Sequence, residues 1–309
     1  MSDLFSTTVM IGILASGIRL ATPYLYASIG ETFGQKSGVL NLGIEGQMLL
    51  GAFTAFYVAL TTGNLWLGVL AAMIVGAVMG LAMAFVTVNL RAQQGISGIG
   101  FYLFGMGMSD LLFQKLLGTV ETVKGFPKIF IPGLSDIPGV GEIFFSQNLL
   151  VYIAYLLVPI AWFVLNKTTL GLKIRSVGEN PDAADSLGVS VARIRYFTII
   201  LGGILSAVAG ASLSIALLNV FQQNMTSGLG FIAVALVYFG AWKPAGVLGG
   251  ALLFSMINSL QLWIQVLGIP IPSDIAVMMP YVLTILVLVA AVSRVRAPSA
   301  LTKPFERED

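Results

Sequence analysis

Within the long apolar runs of this 309-residue sequence sit three ionisable side chains, Arg19, Glu45 and Asp110, with Asn41, Gln47, Asn219, Asn258 and Gln261 as uncharged polar groups in or beside them. The chain has no cysteine and no histidine. That removes thiol nucleophiles, disulfides, imidazole bases and the usual nitrogen or sulfur zinc ligands, so chemistry on a substrate is not expected. A charge at membrane depth costs about 2.5–3.5 kcal/mol on insertion scales, which requires these groups to face protein or water. Arg19 is expected to snorkel or to pair with Glu45 or Asp110, the competing role being contact with a solute. Amides both donate and accept, which suits passing recognition of a neutral, hydroxyl-rich or heterocyclic solute. Asn41, Glu45, Gln47, Asn258 and Gln261 are therefore candidate pathway residues. Phe101, with Tyr102 and Phe104, offers a ring face for stacking, against core or lipid packing as the ordinary fate of such residues. A proton or sodium relay calls for several facing acids, and only Glu45 and Asp110 are available inside the runs. No glycine is followed by lysine, so the Gly-x-x-x-x-Gly-Lys phosphate loop is absent and any ATP must be hydrolysed elsewhere.

The elements that hold these residues follow from composition. At 57% hydrophobic and 10% charged residues, with a mean hydropathy of +0.93, the chain lacks the polar surface of a soluble globule. An all-α integral membrane protein is expected, a polytopic bundle over residues 1–309. A formal charge of +2 in no single stripe does not point to nucleic acid. The first run lacks the basic start of a signal peptide and is expected to stay in the membrane. Windows of about 20 apolar residues fall near Leu4–Ile29, Val39–Leu60, Leu65–Leu90, Ile96–Leu117, Asn148–Leu165, Tyr196–Leu218, Leu229–Trp242, Gly246–Leu267 and Ile275–Val292. That makes about nine spans, with eight to ten compatible. Lys36, Arg91, the basic residues of 167–195, Lys243 and Arg294, Arg296, Lys303 and Arg307 then share the cytoplasmic side, placing the N-terminus outside and the C-terminus inside the cytoplasmic membrane. Lys115, Lys124 and Lys128 are exceptions near the outer connection, diluted by Glu121, Asp136 and Glu142.

That outer connection, residues 118–147, carries Pro127, Pro132 and Pro138 and is expected to form an ordered cap or short re-entrant element. Gly95, Gly98, Gly100, Gly105 and Gly107 imply a broken or tightly packed helix at membrane depth. Gly202, Ser206, Gly210 and Ser214 recur every fourth residue, as Gly76 and Gly80 do, and read as close-packing faces.

The polar interruption from Lys167 to Arg195 has its own helix signals. Asn180 can cap, Pro181 fits the first helical position, Asp182 favours the positive dipole end and Gly188 supplies a left-handed stop. Ala183, Ala184 and Leu187 give this helix of about two turns a small apolar face that needs a partner.

Three stretches together resemble the permease subunits of bacterial ABC importers, in the family that includes branched-chain amino acid and ribose systems, and most closely its nucleoside and simple-sugar branch. They are Gly17–Phe53, with the core SGVLNLGIEG; Leu170–Tyr196; and the ending RAPSALTKPFERE after the Leu229–Phe254 run. The turn AWKPAG at Ala241–Gly246 departs from the family's pattern of Arg or Gln followed by Asn-Pro. The resemblance implies one half of a transmembrane pathway, paired with a second related permease, and a cytoplasmic ATPase binding ATP and Mg while this chain binds no cofactor. It also implies an extracytoplasmic substrate-binding lipoprotein and a nucleoside, simple sugar or riboflavin as solute. Glu179, Asn180, Pro181, Ala183, Ala184, Leu187 and Gly188 match the family's segment for coupling to the ATPase. The alternative is an ion- or proton-coupled secondary transporter or channel acting without an ATPase, which has no use for an exposed apolar helix face in a loop.

Overall fold

The computed structural model describes residues 6–268 and 296–306, with a few isolated positions between. Among the described residues the secondary structure is helical apart from isolated bridges, and seven helices are long and apolar enough to cross a membrane. The elements are α1 (Thr7–Lys36), α2 (Ile44–Thr62), α3 (Leu65–Ala84), α4 (Gln94–Leu116), α5 (Val140–Phe144), α6 (Leu149–Lys167), α7 (Thr169–Glu179), α8 (Pro181–Ser186), α9 (Val191–Ser212), α10 (Leu229–Phe239) and α11 (Pro244–Val266). Single π-helical turns extend α3 through Phe85–Asn89 and α9 through Leu213–Leu217.

The segment expected to span at Leu229–Trp242 is instead the 11-residue α10. At about 1.5 Å per residue it reaches about 16 Å, roughly half the hydrocarbon core. The expected span at Ile275–Val292 lies outside the described residues. Meanwhile α1 runs past Ile29 to Lys36, which draws Glu31 and Gln35 into a span.

The core is organised by glycine. Helix α9 lies against α1, α2 and α3, and small residues let the backbones meet. A Cβ on Gly210 would stand 1.9 Å from the Met48 carbonyl oxygen, and one on Gly203 would stand 2.4 Å from that of Gly76. Gly202 against Gly30 and Gly210 against Met48 make the four-residue stripe a packing face, with Gly203 beside it on Gly76, and Ser214 adds a 2.9 Å hydrogen bond from its Oγ to the Ala52 carbonyl. Helix α4 is continuous rather than broken: Gly105 lies against Gly46 and Gly98 against Leu42, while Gly100 and Gly107 meet nothing. Tight packing, not a break, is what two of its glycines provide. The chain breaks instead between α9 and α10.

Two ends of the bundle differ in character. The 118–147 connection is ordered against α1, where Gly139 meets Ile11, and against the end of α9, where the amide of Phe126 donates to the Ile215 carbonyl at 3.2 Å. At the opposite end Lys36, Arg91, α7, α8 and the segment 296–306 gather.

Candidate functional site

The SGVLNLG turn between α1 and α2 folds around Asn41. Its Oδ1 accepts from the Gly43 amide at 2.9 Å, its backbone N–H donates to Glu31 Oε1 at 3.1 Å, and its Nδ2 donates to Gln47 Oε1 at 3.1 Å. Glu31 also accepts from Gln35 Nε2 at 2.8 Å, and Gln35 accepts in turn from the Trp242 indole at 2.7 Å. Gln94 joins from α4, accepting from the Leu40 amide at 2.8 Å. Glu31, Gln35, Asn41, Gln47 and Gln94 are all buried, so this is an internal network fixing the turn, and Gln47 Nε2 is left without a partner within it.

Glu45 stands in the first turn of α2 and reaches across to the start of α10. One carboxylate oxygen accepts from Thr226 Oγ1 at 2.6 Å and from the Gly228 amide at 2.7 Å; the other accepts from the Gly230 amide at 2.6 Å. A buried carboxylate at two positive helix ends is electrostatically well placed. It closes a junction that only glycine permits, because a Cβ on Gly230 would lie 2.6 Å from the Glu45 nitrogen. The expected pairing of Arg19 with Glu45 or Asp110 is not formed: Glu45 is committed to α10, and Asp110 Oδ1 has no hydrogen-bond partner. Among the described residues the ion pair is Arg91 with Glu306.

Of the other candidate pathway residues, Phe101 packs close to Gly43 and borders an apolar groove of about 440 Å³ between α3 and α4. Asn258 is half-buried and Gln261 buried on α11, which packs on α1. Among the described residues no hydrogen bond joins them to the Asn41 network. The structure therefore brings Asn41, Glu45, Gln47 and Phe101 to one region and leaves Asn258 and Gln261 on another helix. Sequence reasoning missed Glu31, Gln35, Gln94, Thr226 and Trp242. The four-residue spacing of Glu31 and Gln35 was the available signal, hidden by ending the first span at Ile29.

Helix α8 forms as its signals predict. Asn180 Oδ1 accepts from the Ala183 amide at 3.0 Å, Pro181 takes the first position, and Gly188 turns out at φ +82°. Its apolar face is divided, however. Ala184 is buried in the core at 3% exposure, whereas Ala183 is exposed and Leu187, past the last helical turn, is 84% exposed. Successive helical residues stand about 100° apart, so Ala183 and Ala184 cannot share one face of so short a helix. What this element offers outward is Leu187. Glu179, just before it, accepts from Ser299 Oγ at 3.0 Å.

Helices that stop and resume at membrane depth are tolerated where the freed backbone is buried in protein or lines a cavity, and α10 with its carboxylate cap is of this kind. The fold is that of a polytopic helical membrane protein. A family model for the permease component of the branched-chain amino acid transport system matches residues 13–288, and the chain belongs to that family. It is 38% identical to a putative glucose ABC transporter permease protein, TsgC13, of Haloferax volcanii, over 96% of this chain and 98% of that one. It is also 38% identical to the guanosine ABC transporter permease protein NupQ of Bacillus subtilis, over 95% and 96% of the two chains. A second permease protein for guanosine from that organism, NupP, is 25% identical over 89% of this chain and 80% of its own. No solved structure matches.

Proposed function

We propose that this permease subunit carries a nucleoside inward across the cytoplasmic membrane, in a heterodimer with a second, related permease. ATP and Mg are bound and used by a separate cytoplasmic ATPase, and an extracytoplasmic lipoprotein delivers the solute. The observation that carries the reading is the capped α8 with Leu187 standing 84% exposed at the end where Lys36, Arg91 and α7 gather. We read this side chain, held out from a capped helix at the charged end, as a docking element, and the relatives named for guanosine and glucose ABC transport supply the kind of machine that would dock there. The occurrence of NupP beside NupQ supports a heterodimer. The basic end is then cytoplasmic, as the positive-inside rule favours, with residues 118–147 outside and facing the lipoprotein, and the C-terminus inside. Nine membrane segments, including the half-length α10 and the 275–292 run, complete this topology.

The test is reconstitution of the permease pair with its ATPase and lipoprotein in proteoliposomes, followed by uptake of tritiated guanosine. ATP-dependent accumulation, competed by unlabelled nucleosides and not by glucose, is expected. Accumulation without ATPase subunits would overturn the ABC assignment, and competition by glucose alone would overturn the choice of solute.

A further inference from the structure

The three stretches that are most distinctive in the sequence, distant along the chain, meet at one place. Segment 296–306 crosses the end of the bundle from α7 to the α1–α2 turn. The Ala300 amide donates to the Gly178 carbonyl at 2.9 Å, and the Thr302 amide donates to the Gly38 carbonyl at 3.1 Å. Arg195, near the start of α9 and 1% exposed, lies beneath: its Nη1 donates to the Lys303 carbonyl at 3.1 Å and its Nε to the Ser37 carbonyl at 3.3 Å. At the far end Glu306 pairs with Arg91 in the α3–α4 turn.

The fit is built into the backbone. A Cβ on Gly38, at φ +90°, would lie 3.0 Å from the Ala300 carbonyl oxygen, and α7 also meets the end of α1 directly, where a Cβ on Gly178 would lie 2.0 Å from the Lys36 carbonyl oxygen. Ala300 itself is buried at 4% exposure. Releasing the segment would strip a buried guanidinium, whose Nη2 already lacks a partner, of one of its two acceptors. The α1–α2 turn reached in this way leads through Asn41 and Gln47 into α2, and from the first turn of α2 through Glu45 into α10.

We propose that residues 296–306, locked by Arg195, form a permanent tie that passes displacement of α7 and α8 to the α1–α2 turn and on to α10, remaining closed throughout the transport cycle. This rests on reading α8 as the ATPase contact. Energetic coupling through rigid contacts appears as uptake per ATP hydrolysed.

Two experiments on the reconstituted transporter test it. The chain has no cysteine, so Arg91→Cys with Glu306→Cys provides a unique pair on an exposed ion pair, closed by a short bis-maleimide. Cross-linking is expected to leave uptake of tritiated guanosine unchanged or to raise it; loss of uptake on cross-linking would show that the tie must open, and would overturn the proposal. In the second, Arg195→Met is expected to lower uptake by about tenfold, within the usual range of coupling, while ATP hydrolysis stays within about twofold. Arg195→Lys, which keeps the charge and one donor direction, gives an intermediate loss and serves if the methionine variant fails to insert. An unchanged ratio of uptake to hydrolysis in the inserted variant would overturn the proposal. Absence of ATP-driven uptake in the unaltered transporter would instead refute the functional reading on which it rests.

Discussion

Replacing Glu45 by alanine removes the acceptor for two main-chain amides and one hydroxyl, at 2.6–2.7 Å, from a site that is 1% exposed. Each buried donor left unsatisfied costs about 1–3 kcal/mol, so the two amides alone account for about 2–6 kcal/mol. Loss of a carboxylate at a helix N-terminus adds about 0.3–1 kcal/mol, more when partly buried. Against a total stability of about 5–15 kcal/mol, Glu45→Ala is expected to remove a large fraction. Glu45→Gln keeps the shape and one acceptor oxygen but turns an amide donor toward another donor, for an expected loss of about 1.5–3 kcal/mol. Thr226→Val, losing a single hydroxyl, should cost about 1 kcal/mol. The assay is thermal unfolding of the detergent-solubilised protein for the three variants, with hydrogen exchange at the Gly228 and Gly230 amides. The order alanine, glutamine, valine is expected, with faster exchange at both glycines in Glu45→Ala. Wild-type unfolding and unchanged exchange in the alanine variant would refute the cap. Abolished uptake in a fully stable Glu45→Gln would return this residue to the solute path.

The glycines of α4 give an internal comparison: Gly105→Ala puts a Cβ 2.4 Å from the Gly46 carbonyl and should cost about 1–3 kcal/mol, whereas Gly107→Ala meets nothing and should raise stability by about 0.4–1 kcal/mol through helix propensity. Two of the three apolar residues of the α8 region, Ala184 and Leu187, should separate folding from docking. Ala184→Asp buries a charge and is expected to lower the folded yield, while Leu187→Asp, on the open surface, should insert normally and abolish ATP-driven uptake.

Most of the bundle was legible because a membrane leaves little choice of structure: long apolar runs must be helices, and small residues at fourfold spacing must be contacts. The capped α8 was legible for a local reason, since Asn180, Pro181 and Gly188 each act within a few residues of themselves. What hydropathy does not report is where a run breaks. Residues 229–242 are apolar enough to span, and only the commitment of Glu45 to the Gly228 and Gly230 amides shows where the backbone begins again as a short, capped helix. The same holds for Ala184, whose burial depends on what α7 and α9 place against it. Glu45 stood out in the sequence as a charge in an apolar setting; its partners lie more than 180 residues away, and no spacing rule reaches that far. Arg195 was counted as a topology marker, and its burial beneath the final segment depends equally on contacts distant in sequence.

The glycine contacts of α9 have a mechanical reading. Where side chains separate two helices, rotamer changes let them slide; where backbones touch, as at Gly203 with Gly76 and Gly210 with Met48, there is nothing to rearrange. Helices α1, α2, α3 and α9 then behave as a single fulcrum that can rotate as a body and not shear within itself. Helix α4 is held to α2 in the same way, Gly105 against Gly46, so sliding during transport is expected of α6 and α11, which meet α1 through side chains, Tyr155 and Trp263 among them. Variation in sequence should be tolerated on the outer faces of those helices and refused along the fulcrum's seams.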